Sequence, residues 1–155
     1  KNLQKIIRGL KYHNKKDLAF YQAKFMYDYW KILDINKQFQ VIPVPLHKTR
    51  QKQRHYNHME LVAKEFCNLT GFIPNFDLIK RIKHTKPQYK LSRNERMKNL
   101  ENAFQVDEKN LLSLPILLID DICTSGATFE SMIAELKKSK IENDIKCFAT
   151  TSPYS

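Results

Sequence analysis

Glycine is scarce: Gly9, Gly71 and Gly126 are the only three in 155 residues. A nucleotide-binding P-loop needs GxxxxGK(S/T), and none of the three glycines begins one. Cysteine is scarce too. Cys67, Cys123 and Cys147 are odd in number and far apart. That spacing argues against a disulfide framework and against a zinc site within this chain, and for reduced thiols in a cytoplasmic protein. No apolar run approaches the ~20 residues that a membrane helix needs. The opening KNLQKIIRGLKYHNKK is basic but lacks the apolar core of a signal peptide. An initiator Met is also lacking, so the chain reads as a fragment of a longer protein. There are no internal repeats, low-complexity stretches or long linkers. With 42% apolar residues the expectation is one globular domain over 1–155.

Acids are sparse over most of the chain. Residues 1–115 hold 23 Lys/Arg and 10 Asp/Glu, a net +13, whereas residues 116–155 hold 4 and 6, a net −2. Such a basic body implies polyanionic partners: phosphorylated small molecules, nucleic acid, or both.

What is present converges on ILLIDDICTSGAT, residues 116–128. Four apolar residues, Ile116 to Ile119, run into Asp120 and Asp121. A short apolar run of this kind reads as a strand buried on both faces of a parallel sheet. It is expected to end near residue 120, with the acid pair past the buried run and dispensable to the core. Open α/β sheets bind ligands at the carboxyl ends of their strands. Thr124, Ser125, Gly126, Ala127 and Thr128 then make a small, hydroxyl-rich turn. A helix follows, with Phe129, Met132, Ile133 and Leu136 on one face. Gly126 lets backbone approach a ligand closely, and the first helical amides suit a phosphate. The carboxylates need another partner: vicinal ribose hydroxyls and a hydrated Mg²⁺. Together they suggest a ribose 5-phosphate ligand that carries further metal-bound phosphates.

The rest of the chain has strong punctuation. Asn14 to Leu33 reads as a helix with Leu18, Tyr21, Phe25, Met26, Tyr29 and Trp30 as its core stripe. Gln40 to Leu46 is a short strand. Pro43 and Pro45 mark its exit from the sheet. A cationic loop follows, with His47, Lys48, Arg50, Lys52, Arg54, His55 and His58. Asn57 is then the N-cap of a helix that ends near Gly71. Residues 72–83 stay open between strand and helix. Ser92 to Glu95 is a capping box that starts a short helix, and Ala103 to Val106 is a brief strand. Lys80 to Lys98 carries eight Lys/Arg against Glu95 alone, as a cationic lid would. Ile145 to Thr150 reads as a last buried strand.

The 116–128 stretch resembles the phosphoribosyl pyrophosphate (PRPP) signature of type I phosphoribosyltransferases. Within that superfamily, three blocks resemble the ComF family of competence proteins. They are VIPVPLHKTRQKQRHYNHMELVA at 41–63, RIKHTKPQYKLSRNERMKNLENAF at 81–104 and ILLIDDICTSGATF at 116–129. The opening IIRGLKYHNKKDLA at 6–19 is similar as well. Where the family often has RGFNQ, this chain has Arg54, His55, Tyr56, Asn57 and His58. The resemblance implies a mainly parallel sheet flanked by helices, with a small hood, and a zinc ribbon upstream of this stretch.

It also implies roles. Asp120 and Asp121 would hold the ribose hydroxyls and, through water, Mg²⁺. Cys123, Thr124, Ser125, Gly126, Ala127 and Thr128 would cradle the 5-phosphate. The loop after Pro45, with Arg54, would hold diphosphate. Thr85, Gln88, Arg96 and Asn99 would roof the acceptor. Lys48, Arg50, Lys52, Gln88, Lys90, Arg93 and Arg96 are the hood or nucleic-acid candidates, and Tyr56 and Tyr89 could stack on bases. Cys123 reads as a small packing residue rather than a nucleophile. The partners implied are PRPP or a related ribose 5-phosphate, single-stranded DNA and other DNA-uptake proteins, with a homodimer left open. The alternative is a non-catalytic binder of single-stranded nucleic acid that keeps the fold as a scaffold.

Overall fold

The computed structural model describes residues 2–13, 15–85 and 91–152. Its centre is a four-stranded parallel sheet. The strands are β1 (Gln40–Pro43), β2 (Ile73–Pro74), β5 (Ile116–Ile122) and β6 (Ile145–Thr151), in the order β2-β1-β5-β6. A second, antiparallel pair joins β3 (Ile79–Arg81) to β4 (Phe104–Val106). Among the described residues, six α-helices and one 3-10 turn (Glu108–Asn110) complete the fold: α1 (Asn2–Tyr12), α2 (Leu18–Ile32), α3 (Lys48–Arg54), α4 (His58–Thr70), α5 (Arg93–Leu100) and α6 (Ala127–Lys138). This is the α/β, type I phosphoribosyltransferase-like architecture that the sequence implied, with β3, β4 and α5 as the small hood. Among the described residues, no helix is long and apolar enough to cross a membrane.

Alternation along the interior strands builds two cores. Val41, Leu117 and Ile119 face α1, α2 and α4, while Ile42, Ile116 and Leu118 face β3, β4 and α6. Residues 116–119 are wholly buried because both faces are covered. Trp30 anchors the first core, edge-on to Phe39, Phe66 and Phe72 with ring centroids 5.6, 6.2 and 5.8 Å away. Gln40 is a buried polar residue with full satisfaction. Its amide donates to the carbonyls of Leu112 and Leu114, both at 2.8 Å, and its oxygen accepts from Asn75.

Local signals held where capping chemistry decided them. Asn57 caps α4, accepting from the Met59 amide at 3.0 Å, and Gly71 ends it in the left-handed region at φ 78°. Ser92 and Glu95 form the reciprocal capping box of α5.

Four expectations need correction. The first long helix begins at Leu18, and α1 precedes it as a separate element. The aromatic stripe of α2 is split. Met26 and Trp30 are buried, but Tyr21 is 60% exposed and Phe25 and Tyr29 are half exposed. The side that packs is Ala19, Gln22, Ala23, Met26 and Trp30, because small residues let α2 approach α4 and the sheet. The cationic loop contains a helix, α3, capped by His47. Finally, β6 is an edge strand with Lys146 and Cys147 exposed, not a strand buried on both sides.

The two halves of the aromatic stripe should separate in stability. Trp30→Ala should cost ~3–5 kcal/mol in urea unfolding. Tyr21→Ala and Phe25→Ala should each stay within about 0.5 kcal/mol. A large loss at Tyr21 would contradict the packing of α2.

Candidate functional site

The crevice lies at the carboxyl ends of β1 and β5. It is a cavity of about 460 Å³ lined by Lys11, Arg50, His58, Arg81, Arg96 and the acid pair, among others. β5 runs two residues further than the sequence suggested, and its last pairing is Ile122 with Thr151. The acids are therefore part of the strand. Successive strand residues point to opposite faces, so Asp120 and Asp121 diverge.

Asp121 turns toward the α1/α4 side. Only 4% of it is exposed. Its Oδ2 accepts from Lys11 Nζ at 2.5 Å and lies 2.7 Å from His58 Nε2. Burial pushes this carboxyl up, but the His58 hydrogen bond and the Lys11 charge outweigh it and hold the group well below the usual carboxylate range. The expectation that the acid pair is dispensable to the core is overturned for Asp121, which joins three elements inside the protein.

Asp120 turns toward the hood and is half-buried. Its Oδ1 accepts from the Asp121 amide at 2.8 Å. Burial, and then the Asp121 charge, raise this carboxyl. Two adjacent carboxylates, one already paired and one raised, form a hard-oxygen donor set with unmet demand for positive charge. That fits a hydrated Mg²⁺ beside Asp120.

The turn that follows is built as the sequence implied. Gly126 is left-handed at φ 77°, the Ser125 hydroxyl accepts from the Ala127 amide at 3.4 Å, and α6 starts at Ala127. The first amides of α6 thus lie directly after Thr124 and Ser125. Cys123 is partly buried and packs against the second core. Arg96 of α5 donates from Nη1 to the Thr124 hydroxyl at 2.6 Å, which ties the hood to the turn.

The basic segments meet here as well. Arg50 Nη2 donates to the Thr85 carbonyl at 2.8 Å, and the His47 and His84 rings are 5.3 Å apart. Arg50 faces the cavity, whereas Lys48 and Lys52 are exposed. Tyr56 is not an open stacking platform. It is half-buried and donates its hydroxyl hydrogen bond to the Leu10 carbonyl. The side chains of Arg54 and Arg93, and Gln88, Tyr89 and Lys90 entirely, lie outside the described residues.

Sequence reasoning missed Lys11 and Arg81, and it read His58 only as one cation of a loop. Lys11 carries no local signal, because α1 reaches the site only through tertiary packing. Arg81 had a weak one: the pattern Ile79-Lys80-Arg81 alternates buried, exposed, buried.

The Asp121 contacts generate a prediction. Asp121→Asn should cost roughly 3–5 kcal/mol at neutral pH, because it leaves buried donors without their carboxylate. Lys11→Met should cost less, since His58 remains. The folded pKa of Asp121 is depressed, so its contribution is fully present above the unfolded value of about 3.9. It is lost as pH falls through the lower folded value. The gap between parent and Asp121→Asn should therefore close in acid, as read by urea unfolding from pH 7 down to pH 2. A gap that widens in acid would refute the pairing.

No protein-family model matches the chain. Competence protein F of Haemophilus influenzae is 36% identical over 105 residues, 66% of this chain and 45% of that protein. DNA utilization protein YhgH of Salmonella typhi is 29% identical over 103 residues, 66% of this chain and 43% of that protein. Competence protein ComFC of Bacillus subtilis is 31% identical over 93 residues, 60% of this chain and 36% of that protein. The chain thus spans less than half the length of these curated relatives. Over the part that aligns, and with a parallel sheet ending on the acid pair, this chain belongs to the ComF-like family.

Proposed function

We propose that this chain binds PRPP in the crevice at the end of β5 and is the phosphoribosyltransferase-type core of a protein that serves DNA uptake or utilization. One observation carries the reading: a left-handed Gly126 turns the chain from Asp120 and Asp121 into the first amides of α6, with Thr124, Ser125 and Thr128 alongside. The 5-phosphate would sit on that turn, and the Arg96 contact with Thr124 would add a cation to it. Asp120 would accept from the ribose hydroxyls. Asp120, with Asp121 behind it, would hold Mg²⁺ through water. The ion would neutralise the diphosphate as it leaves.

Transfer of this kind asks little covalent chemistry of the protein. Positive charge develops on the ribose ring, and the chain's task is to orient both reactants and stabilise charge. The half-buried carboxylate of Asp120 is suited to face that charge. Arg96 lines the hood side of the crevice, where an acceptor would enter, and Thr85 holds Arg50 and Arg81 there; Asn99 lies on α5 with Arg96 but is not among the lining residues.

The relatives' names bring DNA into the reading. Lys48 and Lys52 form an exposed basic rim of α3, the helix whose Arg50 lines the crevice, and suit a phosphate backbone. A non-catalytic DNA binder would use the same rim without the turn.

Calorimetry with PRPP and Mg²⁺ tests the first part. The parent should bind, and Asp120→Asn should weaken binding roughly ten- to hundredfold, as expected for losing hydrogen bonds to a charged group. A parent that ignores PRPP at millimolar concentration would refute it. Filter binding of single-stranded DNA tests the second part. Affinity should fall with a log–log salt slope of about −0.7 per phosphate contacted. Lys48→Ala plus Lys52→Ala should reduce that slope by about 1.4, two contacts' worth. An unchanged slope would take DNA away from this rim.

A further inference from the structure

Arg81 is the charged residue that the proposed roles leave unused. Only 8% of it is exposed, yet it lines the crevice. It comes from β3, in the hood, rather than from the turn or from the stretch after β1. Its guanidinium lies over the Phe104 ring, 5.6 Å from the centroid, and Nη2 donates to the Thr85 hydroxyl. Among the described residues that is its only hydrogen bond, and it has no ion pair. Arg50, whose own Nη2 reaches the Thr85 carbonyl, brings a second guanidinium to the same corner.

A buried guanidinium is costly unless its donors and charge are met. Here burial comes first and the Arg50 charge second in lowering the Arg81 pKa to about 10, and Asp120 only partly offsets them. Protein groups thus leave most of the Arg81 fork facing the crevice, beside a like charge. An oxyanion placed there would meet the fork and relieve the repulsion between the two arginines. A planar carboxylate matches that fork with two parallel hydrogen bonds. The partly exposed side chains of Leu46 and Ile122, which also line the crevice, offer apolar surface to a flat ring.

We propose that Arg81 is the receptor for a carboxylate on the acceptor, so that the acceptor class is a nitrogen heterocycle bearing an acid group. This rests on the phosphoribosyl reading above. In the transfer, the lone pair of a ring nitrogen forms the new bond to C1 of the ribose. The bond from C1 to the diphosphate oxygen breaks, and its electrons leave with diphosphate. An N–H acceptor such as orotate releases that proton to solvent, whereas a pyridine nitrogen carries none and the product keeps the positive charge. The carboxylate is held and not consumed.

The test is calorimetry with matched probes, in the presence of Mg²⁺ and ribose 5-phosphate so that no turnover occurs. Orotate is compared with uracil, and nicotinate with nicotinamide. At least one acid should bind the parent roughly ten- to hundredfold tighter than its neutral partner. Arg81→Met should abolish that preference, and Arg81→Lys should keep part of it. Binding of ribose 5-phosphate should stay within about twofold in both variants, which reports an intact fold. The proposal fails if neither pair discriminates on the parent, or if discrimination survives Arg81→Met. It also fails if Arg81→Met weakens inorganic pyrophosphate instead, which would give Arg81 to the leaving group. A parent that binds neither PRPP nor ribose 5-phosphate overturns the phosphoribosyl reading instead. The two pairs measured alone then still decide whether Arg81 reads a carboxylate.

Discussion

Asp121 is bound on one oxygen by a lysine from α1 and a histidine from α4, almost out of contact with water. Burying a carboxylate is unfavourable unless charge and hydrogen bonds compensate it, so this contact fixes where α1 and α4 must lie against β5. Leu10 follows its neighbour Lys11 into the first core, and Tyr56 bonds the Leu10 carbonyl from the end of the α3–α4 connection. The floor of the crevice is thus set by one ionic contact whose partners lie 110 and 63 residues from it in sequence.

The pleat of β5 then divides the two acids. One is committed to structure, and its neighbour is turned to the other face, half-buried and short of positive charge. That division explains how a sheet can end in two adjacent carboxylates. The first-core side neutralises Asp121 internally, and Asp120 is left to face whatever enters from the hood. The basic surface has the same logic. Arg50, Arg81 and Arg96 converge on the crevice from α3, β3 and α5, while Lys48 and Lys52 stay in solvent.

Much of this was legible from residue order alone. Ile116 to Ile119 could only be a strand covered on both sides, because four consecutive apolar residues have no polar face to expose. Gly126 in a hydroxyl-rich turn marked the entry to α6. Asn57, Gly71 and the Ser92–Glu95 box marked helix ends because capping is a local contact between residues two or three apart. The α2 stripe was misread for a related reason. Its aromatic residues repeat at helical spacing, but so do Ala19, Ala23 and Met26, and periodicity cannot choose between two such faces.

The sequence by itself determined the parallel sheet, the phosphate-type turn and the position of the acid pair, since each is written in neighbouring residues. Only the tertiary structure decided that Asp121 belongs to the core and Asp120 to the crevice. It alone decided that Lys11 reaches the site and that Arg81 lines it with no ion pair among the described residues. Those outcomes depend on which distant elements come within a few ångströms, and charge pairing over such distances leaves no trace in local periodicity.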